Sequence, residues 1–135
     1  MGTRAVYTFI DEEERYSVYK PWDGYPRSAC QFLANALPLA WPLPRFEANE
    51  FAAAFVAANK KKAGDIYLTS RPGVHGDLAY TYEIQCQDGH LHVRILTVGY
   101  SGPGYRRAEY RKLFEGSLEE AQQFAATFNG KDVQP

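Results

Sequence analysis

A stiff corner between an extended run and a helical pattern constrains this chain more than any other feature. An alternating segment ends at Lys20, Pro21-Trp22-Asp23-Gly24-Tyr25-Pro26 follows, and the helical spacing begins directly after it. Proline fixes φ and gives up a donor, glycine admits φ above zero, and an Asp side chain can accept hydrogen bonds from the backbone just beyond it. Such a corner can aim a helix at a sheet without a long loop. The same rigidity can present Trp22, Asp23 and Tyr25 to a ligand, and the residues alone admit both uses.

Before the corner, Ala5–Ile10 and Tyr16–Tyr19 read as strands joined by the acidic turn Asp11-Glu12-Glu13-Glu14. Apolar residues occupy both faces of the first strand, which predicts a central strand. After the corner, Ala29, Phe32, Leu33, Ala36 and Leu37 fall on one helical face, and Pro38 ends that helix. The Pro38 to Pro44 linker, with Leu39, Trp41 and Leu43 between prolines, is expected to lie extended over the core. A second helix is predicted over 47–62, with Lys60-Lys61-Lys62 in its last turn, where the helix dipole favours cations, and Gly64 as its C-cap.

A strand over 65–69 and a polar loop over 70–77 come next. Asp88-Gly89 is then a type I′ turn signal, and it sets a register. Gln87 faces His90, Cys86 faces Leu91, Gln85 faces His92, Ile84 faces Val93, Glu83 faces Arg94 and Tyr82 faces Ile95, so Tyr80, Tyr82, Ile84, Cys86, Leu91, Val93 and Ile95 share one face, expected to be buried. Gly99 to Tyr105 reads as a mobile loop and 105–114 as a last strand. Ser117-Leu118-Glu119-Glu120 is a capping box opening a closing helix that Asn129-Gly130 stops. The order ββααβββ(β)α describes an α+β fold: one mainly antiparallel sheet of about five to six strands with three helices packed on it. It occupies a single domain over 1–130, with 131–135 a frayed tail.

Composition narrows the function classes more than it names one. Hydrophobic residues at 45% and charged residues at 23% are ordinary for a globular domain, whereas ten tyrosines suggest strands and an adhesive surface. A net charge of −1 removes the electrostatic argument for a dedicated nucleic-acid binder. Cys30 and Cys86 lack metal or redox spacing and read as small buried residues in a reducing compartment. No secretory h-region and no membrane-length apolar run is present, so the expected setting is the cytoplasm, without membrane partners, and no cofactor is implied.

Four groups carry candidate chemistry. His90 and His92 share a strand face, but their predicted neighbours are glutamines, which favours a solvated face over a metal site. His75-Gly76-Asp77 could supply a base and its orienting carboxylate, with Thr69 or Ser70 as the nearest hydroxyl and Asp23 as a further carboxylate. Tyr100, Tyr105, Arg106, Arg107, Tyr110, Arg111 and Lys112 interleave aromatic and basic groups as single-strand binders do, although a charged edge strand accounts for the same pattern. Arg4 stands beside an apolar strand, in position to bridge to Asp23 or to form half of an anion pocket.

Gly2-Thr3-Arg4, the Trp22-Asp23-Gly24-Tyr25-Pro26 block, Ile66-Tyr67-Leu68-Thr69 and the segment from His75-Gly76-Asp77 to Tyr80, Tyr82 and Glu83 together resemble a family of small uncharacterised bacterial and phage proteins. The resemblance spans nearly the whole chain and implies phage or prophage association rather than a chemistry. Relatives in that family carry His at the position of Pro21, so a mechanism resting on that imidazole is absent from this chain. The leading expectation is a non-enzymatic binding module for a small molecule or a protein, built on Arg4, Trp22, Asp23, Tyr25, His75 and Asp77, with a homodimer among the assemblies open to it. The alternatives are a small hydrolase or transferase using His75, Asp77 and Asp23, and a weak single-stranded nucleic-acid binder using Tyr100, Tyr105, Arg106, Arg107 and Arg111.

Overall fold

In the computed structural model, which describes residues 2–128, the strands β1 (Arg4–Ile10) and β2 (Arg15–Lys20) form the expected hairpin, with Tyr7 opposite Val18 and Ala5 opposite Lys20. The corner leads into α1 (Pro26–Ala36), a 3-10 turn at Leu37–Leu39, and α2 (Ala48–Asn59). Next come β3 (Tyr67–Thr69), β4 (Leu78–Gln87), β5 (His90–Ser101), β6 (Arg107–Ser117) and α3 (Leu118–Thr127). The six strands form one sheet in the order β3-β2-β1-β4-β5-β6, antiparallel except where β1 and β4 run parallel. This is the expected α+β architecture, with β1 inside the sheet.

The helices cover one face. Ala5, Tyr7, Phe9, Val18, Tyr82, Ile84, Val93 and Ile95 point into the helical layer and are buried, alongside Leu33, Phe51 and Phe55 from α1 and α2. Tyr7 stacks on Tyr82 with ring centroids 4.9 Å apart and meets Phe55 at 4.8 Å, so aromatic rings fill the centre. Among the described residues no α-helix covers the other face. There Val6 is also buried, and the 70–77 loop folds over that end of the face, its His75 ring stacking on Tyr19.

The second hairpin has the register that Asp88-Gly89 predicts, from Gln87 opposite His90 to Tyr82 opposite Ile95. Both turn residues have positive φ, 52° and 78°, as a type I′ turn demands. The capping box at Ser117 is complete: its hydroxyl accepts the Glu120 N–H at 3.1 Å and Glu120 accepts the Ser117 N–H at 2.9 Å. The predicted helix stop at Asn129-Gly130 and the tail at 131–135 lie outside the described residues.

Several boundaries move, each for a local reason. Helix α2 ends at Asn59, so Lys60 to Lys62 stand beyond it; the Asp65 carboxylate accepts the N–H groups of Lys61 and Lys62 at 2.8 and 3.1 Å and turns the chain away. Gly64, with φ 84°, belongs to that turn rather than to the helix cap. The third strand shortens to Tyr67–Thr69. The linker does not lie flat over the core: Leu43 packs inward, whereas Leu39 and Trp41 are exposed and Trp41 lies 3.8 Å under the Arg45 guanidinium. Gly99 to Ser101 are strand, because β6 extends far enough to pair with them. Cys30 is buried as expected, and burial pushes its thiol up to about 11, but Cys86 is only half-buried.

Candidate functional site

The corner is clamped from beneath. Gly24 donates its N–H to Thr3 O at 2.9 Å, and its carbonyl accepts the hydroxyl of the buried Tyr82. A Cβ on Gly24 would stand 2.7 Å from both Ala5 Cβ and Thr3 O, and one on Gly2 would collide with the Pro21 carbonyl and Trp22 Cβ. The N-terminal Gly-Thr-Arg segment and the corner block are thus one packed unit, although far apart along the chain. Asp23, adjacent to the clamp, has φ 61°, a left-handed conformation that Asp tolerates better than most residues.

The purely architectural roles open to this corner are not the ones its side chains take. Tyr25 is the N-cap of α1 and no side chain caps that helix. Trp22 is 37% exposed and Tyr25 53% exposed. Lys62 lies 5.4 Å above the Trp22 ring, and Tyr25 touches Tyr80 at 6.2 Å between centroids. Among the described residues the Asp23 carboxylate makes no hydrogen bond or ion pair.

His75, Asp77 and Arg4 assemble on the other side of the sheet at the same end. His75 Nε2 and Thr69 Oγ1 are 2.9 Å apart, and the imidazole lies parallel to the Tyr19 ring at 4.2 Å. Tyr100 pins the loop, its hydroxyl accepting the Leu78 N–H at 2.8 Å and donating to the His75 carbonyl at 3.1 Å. Burial holds the His75 imidazole below the ordinary histidine range. Asp77 pairs with Arg4, at 3.3 Å across an exposed pair, rather than with His75. The bridge from Arg4 therefore runs to Asp77 and not to Asp23. The expected residues do share one end of the sheet, as the short first hairpin requires, but they divide into Trp22, Asp23 and Tyr25 on the helical side and Arg4, His75 and Asp77 on the open side.

The aromatic and basic set divides as well. Tyr110 pairs with Val98 and Arg111 with Thr97, so the alternation of β6 sends neighbouring aromatic and basic side chains to opposite faces of an edge strand. Arg107, opposite Ser101, shares the parity of Arg111. Tyr100, Tyr105 and Arg106 do come together, and with them Asp77: a cleft of about 750 Å³ opens between the 70–77 loop and the tip of the β5–β6 hairpin. Residues assigned from sequence to two separate candidate sites thus line one cavity.

Two features were beyond reach of the sequence. His92 Nε2 lies 2.9 Å from Glu115 Oε2, and Arg94, Glu83 and Lys112 extend this into a charged network on the open face. The hydrogen bond from His92, followed by that from Lys112, holds the Glu115 carboxyl below its usual range. The β5–β6 register would have located it, and nothing near His92 in sequence announces Glu115. Lys20, on the helical side, is only 3% exposed; its amine donates to the Asp65 carbonyl at 3.2 Å and sits 4.6 Å from the Phe32 ring centre. Burial lowers its affinity for the proton, against the pull of Asp65 and Asp23. No helix among the described residues is long and apolar enough to cross a membrane. Comparison with protein-family models, curated proteins and solved structures finds no match.

Proposed function

We propose that this chain is a non-enzymatic binding module whose recognition surface is the clamped corner, with Trp22, Asp23 and Tyr25 as contacts and the Arg4–Asp77 pair at its flank. The observation that carries the reading is the combination at Asp23: a left-handed backbone, buttressed by close-packed Gly2 and Gly24, holding an exposed carboxylate that has no partner among the described residues, flanked by the partly exposed Trp22 and Tyr25 rings. Strained backbone persists where the surroundings over-determine it, and here the surroundings spend that constraint on side chains that face solvent. Aromatic rings with a fixed charge between them are the usual anchors of a small recognition surface. A prophage-associated setting belongs to the same proposal and rests on the family resemblance, and the cytoplasmic setting rests on the cysteine pattern and the apolar patterning of the sequence.

Substitution tests it directly. Asp23→Asn should leave unfolding free energy within about 1 kcal/mol of the parent, because its side chain is exposed, whereas Trp22→Ala, at an indole only 37% exposed, should cost about 2–3 kcal/mol of packing. With Trp41→Phe in the background, Trp22 becomes the only indole and reports binding in a fluorescence screen of small polar metabolites and short peptides. A ligand that shifts this emission and loses its effect in Asp23→Asn supports the surface. A loss of several kcal/mol in Asp23→Asn would make the corner architecture alone.

One observation favours a second reading, a small hydrolase or transferase. The hydrogen bond between Thr69 and the deprotonation-prone His75 has the geometry of a hydroxyl nucleophile and its base. Asp77 pairs with Arg4 and Asp23 lies across the sheet, so neither is placed to orient the imidazole. Mass spectrometry after incubation with p-nitrophenyl acetate decides the matter: an acyl adduct on Thr69 that disappears in His75→Ala supports catalysis, and its absence removes the reading.

A further inference from the structure

We infer that the cleft between the 70–77 loop and the tip of the β5–β6 hairpin is a second binding site, distinct from the corner, shaped for a flat heteroaromatic ring carrying one phosphate, the chemistry of a nucleoside monophosphate. Its volume of about 750 Å³ is of the size that small-molecule sites occupy. Gly73 and Gly76 line it with no heavy atom within 4 Å of where a Cβ would stand, so a planar group can lie directly against the main chain there. Tyr105 projects at the rim, 76% exposed with φ 54°. The Tyr100 ring forms the inner wall, and its orientation is set in advance by its two hydroxyl hydrogen bonds to Leu78 and His75. Two tyrosines in a cleft whose loop wall is bare main chain at Gly73 and Gly76 and apolar at Val74 offer a stacking platform for a base.

The charges select an anion. Arg106 also lines the cleft, its side chain folded back over Gly104, and among the described residues it makes no ion pair and no side-chain hydrogen bond. A guanidinium fork that is exposed and uncommitted matches a phosphate in two-point geometry. The carboxylate in the cleft, Asp77, is balanced by Arg4 at 3.3 Å through Oδ2, which leaves Oδ1 able to accept hydrogen bonds from ribose hydroxyls or a ring amino group. An extended strand is disfavoured as the occupant, because β6 sends Tyr110 and Arg111 to opposite faces and offers no continuous track beyond the cleft.

Titration of the ¹⁵N-labelled protein with AMP, adenosine and inorganic phosphate separately tests the site. AMP should shift the amides of Gly73, Gly76, Gly104 and Tyr105, and bind about tenfold more tightly than adenosine or phosphate alone, since only AMP engages both the rings and Arg106. Arg106→Ala and Tyr105→Ala, both exposed positions, should each weaken AMP about tenfold without altering the spectrum elsewhere. The Trp22 indole signal should stay unmoved, so that failure here and failure of the corner reading are separate results. Absence of shifts in the cleft at millimolar AMP, or equal affinity for AMP and adenosine, would overturn the inference. So would affinity that climbs with length from a mononucleotide to an oligo(dA), which would make a strand the ligand.

Discussion

Tyr7→Phe should stabilise this protein, although Tyr7 is fully buried at the centre of the core. Its ring stacks on Tyr82 and packs against Phe55, and phenylalanine keeps those contacts. Its hydroxyl, by contrast, has no hydrogen-bond partner among the described residues. Burial pushes that phenol well above its ordinary range, with Cys30 and Asp23 adding to the effect, so it is a neutral donor with nothing to donate to. A buried unpaired polar group costs about 1–3 kcal/mol, and the void left by removing a hydroxyl returns only tenths of that at about 24 cal/mol per Å³. The expected gain is therefore about 1 kcal/mol or more, or a rise in Tm of roughly 3–5 °C for a chain of this length. Tyr82→Phe is the control with opposite sign. It removes the hydroxyl that serves the Gly24 carbonyl, leaves that carbonyl unpaired beneath the corner, and should cost about 1–3 kcal/mol. Urea unfolding followed by circular dichroism, with unchanged m-values, measures both. The double variant should deviate from additivity, because the two rings touch. If Tyr7→Phe destabilises by more than about 0.5 kcal/mol, the hydroxyl has a partner in solution and the reasoning fails.

Asp11 accepts the N–H of Ala48 at 2.8 Å, as well as those of Glu13 and Glu14, and these bonds, Ala48 first, hold its carboxyl below the usual range; its stabilisation is complete above that range and disappears as pH falls through the lowered folded value. Asp11→Ala should therefore lower Tm at neutral pH and flatten its decline between about pH 5 and pH 2. The same sign applies to His75: its folded value lies below about 6.5, so the contribution of the neutral imidazole is present above that pH and lost as pH falls through the folded value. Protection factors of the amides of residues 73–77, taken relative to the intrinsic exchange rate at each pH, should then fall on acidification from pH 7 to 5, and His75→Gln should remove the dependence. Gly24→Ala, which must displace Ala5 or the Thr3 carbonyl, should cost about 1–3 kcal/mol in urea, and an unchanged midpoint would show that the clamp is loose. Gly89→Val, at φ 78°, should cost about 1 kcal/mol or more by the same assay.

What the sequence determined by itself lies within a few residues of its own signal. Asp88-Gly89 has the backbone its turn type requires, and with the alternation on either side it specified the pairing from Gln87 opposite His90 to Tyr82 opposite Ile95. Ser117 and Glu120 close their capping box, and the apolar stripe from Ala29 to Ala36 faces the sheet. These outcomes depend on local sterics, a local hydrogen bond, or a periodicity that any folded context has to respect. Where a distant partner competes with the local rule, the tertiary structure decided. Asp65, not the helix dipole, determines where Lys60 to Lys62 lie, and Asp11 finds the N-terminus of α2 at Ala48, 37 positions along the chain. The parallel pairing of β1 with β4 carries the 70–77 loop to the open face, where Arg4 meets Asp77 instead of Asp23. The β5–β6 register brings Glu115 to His92 and joins Tyr105 and Arg106 to the cleft that Asp77 lines. Charge and aromatic character are readable one residue at a time, but a site is a set of distances, and those distances follow from the strand order, which no local preference encodes.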